Sequence, residues 1–258
     1  MSSLSNMFDK PTLDNPPGES LQYRVKIEFI GGKPTMKIGL VYAMTGEIES
    51  LLTQENAQPL QTVAGVPFYQ IRPDVIACAG GVSKVNAAMA TQLLISLYQP
   101  DLVLNAGVAG CFENMPIGSI VLAEGFLQHD VDTSTLGDRV GLVSTVNRVQ
   151  FPTSDPDRAR AAMDRVGVPY RTGWVATGDW FATDTPRAHW IADTFHPLLC
   201  DMEGCADAQV CLRNNVPFMS IKSVSDCLFE HHDFVFNFPT AMRDLNRVVM
   251  AFVDQLEA

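Results

Sequence analysis

From residue 36 onward, short apolar runs alternate with longer segments whose apolar positions recur every three or four residues. The runs at 36–44 (MKIGLVYAM), 63–71, 74–79, 102–105, 118–126, 172–176 and 218–221 predict strands, several of them buried on both faces. Helical spacing follows at 48–52, 87–97, 157–166, about 204–214 and 240–256. In the last segment Leu245, Val248, Val249, Phe252, Val253 and Leu256 share one face, which predicts a packing helix. Strand–helix alternation, with one strand-rich stretch near 60–80, predicts an α/β fold: a single three-layer α/β/α domain on a central mixed, mostly parallel sheet. Upstream, residues 1–20 are polar and carry Pro11, Pro16 and Pro17, the composition of a loose tail. Leu21, Tyr23, Val25, Ile27 and Phe29 then alternate with polar residues and end at Gly31-Gly32, a candidate edge strand. The expected organisation is therefore an N-terminal extension over 1–35, partly disordered, and one domain over 36–258.

Composition narrows the function classes. The chain has 258 residues, 47% hydrophobic and 18% charged, enough to bury a full core. A net charge of −11 repels a phosphate backbone, and no basic stripe appears, so nucleic acid is not an expected partner. No apolar run is long enough to span a bilayer, and no basic start leads into an apolar segment, so neither a membrane partner nor a secretory signal is expected. The six cysteines (78, 111, 200, 205, 211 and 227) show no metal-ligand spacing and lie mostly in apolar segments. They predict buried thiols in a reducing, cytoplasmic setting and no structural metal.

Candidate chemistry gathers where predicted strands end. Glu47 follows the first strand at a helix start; it is either a first-turn charge facing water or a base at the sheet's carboxyl edge. Ala79-Gly80-Gly81-Val82-Ser83 and Ala106-Gly107-Val108-Ala109-Gly110 read as two small-residue turns after strands, a cradle for a flat or polar ligand. Gln128-His129-Asp130-Val131-Asp132 has metal-binding residue types but no third cluster to complete a site. In Thr177-Gly178-Asp179-Trp180-Phe181, Phe181 is either a core ring or one that stacks on a ligand. Asp201-Met202-Glu203-Gly204 and Ser223-Val224-Ser225-Asp226 each put a carboxylate at or near a strand end. Singly, Glu203 reads as a helix-dipole charge and Asp226 as an N-cap; together they read as a ligand site.

The segments MKIGLVYAMTGEI, NAGVAG, QHDVD, TGDWF, DMEG and SVSD occur in one order and spacing. Together they resemble the 5′-methylthioadenosine/S-adenosylhomocysteine nucleosidases of the purine and uridine phosphorylase superfamily, over about residues 36–256. The resemblance implies a nucleoside phosphorylase-like fold and hydrolysis of the N-glycosidic bond, with no metal or organic cofactor. It implies Glu47 as the base that activates water and Asp226 as the acid at adenine N7. It also implies Glu203 as the ribose hydroxyl acceptor with Met202 against the sugar, Phe181 stacked on adenine, and the Ala182 backbone at the base. Gly110 and Ser225 fall near the nucleoside, and Val82 and Phe236 on apolar walls. The loop after Asp132, with Leu136, would reach a neighbour's pocket in a homodimer. The chain departs from the family in its 35-residue extension, in Val108 where many members carry Ser, and in an aromatic-rich segment at 228–238.

The residue types suit that chemistry. Leaving of the base builds positive charge on ribose and negative charge on the base, so an acid at N7 and carboxylates near the sugar favour the transition state. A phosphorylase is the second reading, but it must hold a phosphate dianion, and residues 36–69 and 79–115 contain no Arg. A hydrolase of other adenosine or futalosine-type nucleosides, and a non-catalytic nucleoside-binding protein, complete the alternatives.

Overall fold

The structure is a computed structural model that describes residues 36–229 and 234–257, without the side chains of 234–236 and 257. The edge strand expected at 21–29 lies outside the described residues. Among the described residues ten strands form one sheet: β1 (Ile38–Tyr42), β2 (Gln58–Val63), β3 (Val66–Arg72), β4 (Val75–Ala79), β5 (Leu102–Cys111), β6 (Ile120–Gln128), β7 (Gln150–Pro152), β8 (Tyr170–Thr177), β9 (Leu199–Asp201) and β10 (Phe218–Cys227). The helices are α1 (Thr45–Gln54), α2 (Lys84–Tyr98), α3 (Pro156–Val166), α4 (Pro186–Phe195), α5 (Gly204–Asn214) and α6 (Phe234–Glu257).

Period-two alternation divides the strands' side chains between two cores. Ile38, Leu40 and Tyr42 of β1, with Leu102 and Leu104 of β5, join one cluster that includes α6 residues Leu245, Val249 and Phe252. Val41 and Val103 point the other way, into a cluster with Leu94 of α2 and Cys211 of α5. Helices α1, α3 and α6 thus cover one face of the sheet, and α2 and α5 the other. This is the layered α/β/α arrangement expected from the pattern. Its sheet is mixed: five pairings are parallel and five antiparallel among the described residues.

Two features were not visible in the pattern. The pairings close on themselves, because β5 bonds both β10 and β9 while β10 continues through β6 and β8 back to β9. The second is a correction: Ala106–Gly110 is not a turn after a strand. β5 runs straight through it to Cys111, paired with β10 up to Cys227.

Candidate active site

One cleft gathers residues from β5, β9 and β10 and from the loops after β1, β4 and β8. It is lined by Glu47, Val82, Gly110, Phe181, Ala182, Met202, Glu203, Ser225 and Asp226, nine of the eleven residues singled out in the sequence. Leu136 lies elsewhere, 71% exposed in a short 3-10 turn at Ser134–Leu136. Phe236 has its backbone in α6, and its side chain lies outside the described residues.

Glu47 is not a first-turn charge facing water; it is 2% exposed. It is the third residue of α1 and reaches back over the helix start, where its Oε2 accepts the N–H of Ala43 (3.1 Å) and Met44 (2.8 Å). Its Oε1 accepts the Val108 N–H of β5 at 2.9 Å. Burial raises its pKa, and these N–H groups and Lys222 pull against that shift. Gly107 makes the fit possible, since a Cβ there would stand 2.6 Å from Glu47 Oε1.

Glu203 occupies the N-cap of α5 and is 8% exposed. Its Oε1 accepts the Ser83 N–H at 3.0 Å, and its Oε2 that of Met202 at 3.2 Å. Burial first, then the neighbouring Asp201 charge, raises its pKa. Asp226 lies one residue from the end of β10, where the register against β5 shifts between Val224 and Asp226. Such a bulge re-aims the side chains beside it. Ser225 Oγ lies 2.6 Å from Asp226 Oδ1 and 3.2 Å from the Ala109 carbonyl.

At Asp201, which also lines the cleft, sequence reasoning missed a buried ion pair: Lys222 Nζ of β10 lies 2.9 Å from Asp201 Oδ2, with both side chains almost fully buried. Asp201 also accepts from Thr177 Oγ1 (2.5 Å) and the Gly204 N–H (3.0 Å). Burial alone would lower the Lys222 pKa; Asp201, Glu203 and Glu47 outweigh it and raise it. A lysine inside the apolar run FMSIKSV was the available signal, since a buried ammonium requires a partner. Ala43, Met44, Ala109, Trp180 and Cys200 also line the cleft and carried no such signal.

The His129 region takes other partners. His129 is 3% exposed beside Trp180, Asp130 binds Lys84, and Asp132 Oδ1 accepts the Ser134 N–H. No Arg or Lys is among the described residues that line the cleft.

The fold is that of the phosphorylase superfamily, whose family model matches residues 37–254. The 5′-methylthioadenosine/S-adenosylhomocysteine nucleosidase of Shewanella loihica is 37% identical over 198 residues, 74% of this chain and 86% of that protein. The crystal structure of the corresponding Colwellia psychrerythraea nucleosidase, in complex with adenine, superposes with a TM-score of 0.78 at 31% identity and covers 87% of this chain and 97% of that one. The Streptococcus pyogenes S-adenosylhomocysteine nucleosidase, in complex with 5-methylthiotubericidin, gives 0.78 at 27%, covering 88% and 100%. This chain belongs to the 5′-methylthioadenosine/S-adenosylhomocysteine nucleosidase family.

Proposed function

We propose that the protein is an N-glycosidase that hydrolyses 5′-methylthioadenosine and S-adenosylhomocysteine to adenine and the 5-substituted ribose. The observation that carries this reading is one cleft lined by Glu47, Glu203 and Asp226, with Asp201 beside them and no Lys or Arg among its described lining residues. In the proposed mechanism Asp226 protonates adenine N7 as the bond to the anomeric carbon lengthens. Phe181 stacks on the base and Glu203 accepts a ribose hydroxyl, with Met202 against the sugar. Glu47 takes a proton from water as it adds to the anomeric carbon. A buried carboxylate with raised pKa is a better base at neutral pH than one in water. Val82, Gly110, Ala182 and Ser225 shape the walls, and Phe236 is assigned to the same role.

An exposed leucine at position 136, on a turn that lines no part of its own cleft, supports a homodimer in which this loop completes the neighbour's site. Six free, buried thiols among the described residues support a reducing, cytoplasmic setting. No helix among the described residues is long and apolar enough to cross a membrane.

The test is product analysis by mass spectrometry with 5′-methylthioadenosine, with and without phosphate at constant ionic strength. Equal rates and free 5-methylthioribose are expected. A 1-phosphorylated sugar formed only with phosphate would make the protein a phosphorylase.

A further inference from the structure

Ser83, just before α2, has φ 91° and ψ 157°, backbone that strains any residue with a Cβ. It makes no side-chain cap bond to the helix, so capping does not explain the strain. What the conformation achieves is an N–H aimed at Glu203 Oε1, 3.0 Å away and 120 residues on in sequence. The next residue is held by two carboxylates. Lys84 Nζ lies 2.6 and 2.5 Å from the two oxygens of Asp130, two residues past the end of β6, and 3.5 Å from Asp179 Oδ2. The Lys84 N–H donates to Asp179 Oδ1 at 2.9 Å, and the Asp179 N–H donates to Asp130 Oδ2 at 2.8 Å. The Lys84 and Asp130 side chains are only 17% and 15% exposed, so solvent screens this pair less than a surface one. Asp179 opens the turn that continues into Trp180, Phe181 and Ala182, all on the cleft.

We propose that Lys84, gripped by Asp130 and Asp179, is a positioning residue: it holds Ser83 in strained backbone so that the Ser83 N–H orients Glu203. The same grip fixes the Phe181 turn opposite the sugar acceptor, so one cluster sets the distance between the base wall and the ribose contact. This inference rests on the reading of Glu203 as ribose acceptor.

Two measurements test it. The first compares kcat/KM for 5′-methylthioadenosine and its 2′-deoxy analogue. In Lys84→Met the preference for the 2′-hydroxyl should shrink about tenfold, the scale of one hydrogen bond to a charged group. Adding Ser83→Gly should restore most of it, because glycine adopts this backbone without the clamp. A merely structural role for Lys84 would lower stability and leave the preference intact. Unchanged preference in folded Lys84→Met, or no rescue by glycine, would overturn the proposal. The second needs no activity, so it separates failure of this inference from failure of the functional reading. Ser83→Gly should raise the melting temperature of the parent by several degrees, and that of Lys84→Met by less than half as much, because only the clamped chain holds the strain. Equal gains in both backgrounds would show that Lys84 does not impose it. Asp130→Asn, which keeps shape and acceptor oxygen, serves as the milder clamp variant should Lys84→Met fold poorly.

Discussion

Gly107→Ala isolates the cradle of Glu47 from its chemistry. Gly107 needs no left-handed backbone, so alanine fits the strand itself. The added Cβ would stand 2.6 Å from Glu47 Oε1 and 3.2 Å from its carboxyl carbon. The clash falls on the tip of a side chain, so the fold survives and the carboxylate moves. The first bond to go is Val108 N–H to Oε1, now 2.9 Å. A hydrogen bond to a charged group contributes about 1.5–3 kcal/mol. At roughly 1.4 kcal/mol per decade, a loss of that size in the transition state slows adenine release about 10- to 100-fold. Misaiming the base adds to this, because general bases contribute about 10²–10⁴-fold only when correctly placed. The assay is steady-state adenine release, with circular dichroism to establish folding. The fall should appear mainly in kcat, because water activation occurs after the substrate is bound. A folded Gly107→Ala protein with near-parental kcat would refute the assignment of Glu47 as base.

Asp226→Asn should fold normally and release adenine at least ~100-fold more slowly, the scale of a lost general acid; turnover near the parent's would remove Asp226 from that role. Lys222→Met leaves Asp201 buried without its cation and should cost about 3–5 kcal/mol in denaturant unfolding, with Asp201→Asn added to it recovering part of the loss. Asp207 is fully buried against Thr91 Oγ1 (2.7 Å) and Asn105 Nδ2 (3.0 Å), and burial pushes its pKa up to about 7. Between its unfolded value and about 7 the folded state binds more protons, so this group's contribution to stability falls as pH rises through that window. The melting temperature of Asp207→Asn relative to the parent should therefore climb from pH 4 to pH 8; a pH-independent difference would show that Asp207 stays ionised.

The fold was readable wherever burial was strong. β1, β4, β6 and α6 follow their predicted runs because both strand faces, or one full helix face, are apolar. β2 was missed because its residues QPLQTV are almost all exposed and carry a proline, so no pattern marks them. α4 was missed although its start carried a signal, a Thr185 N-cap followed by Pro186. Ala106–Gly110 misled for a physical reason: the glycines that suggest a turn are required inside the strand by close neighbours. A Cβ at Gly110 would stand 2.8 Å from Leu228 Cδ1, and one at Gly107 would strike Glu47. Residue types and local order carried the site's inventory. They did not carry its contacts, since Val108 reaches Glu47 across 61 residues and Ser83 reaches Glu203 across 120. Closure of the sheet rests on β9, a strand of three residues with two paired to β5; the sequence marked a strand end at Asp201 but not this pairing.

The balance of charge around the cleft bears on hydrolysis against phosphorolysis more directly than any single side chain. Glu47, Asp201, Glu203 and Asp226 all line it, and the Lys222 ammonium is buried against Asp201. Lys84 is likewise taken up by Asp130 and Asp179. The carboxyl groups of Glu47 and Glu203 are met mainly by backbone N–H groups, which hold their positions and pull against the burial that raises both pKa values. A phosphate dianion entering this space would meet acidic side chains and no guanidinium among the described lining residues. A ribosyl cation forming there would meet the same carboxylates as favourable partners. Water carries no charge into the cleft, and in the proposed mechanism Glu47 is its base. An arrangement that penalises an anionic nucleophile and rewards a cationic transition state selects water by electrostatics, before any difference in shape is considered.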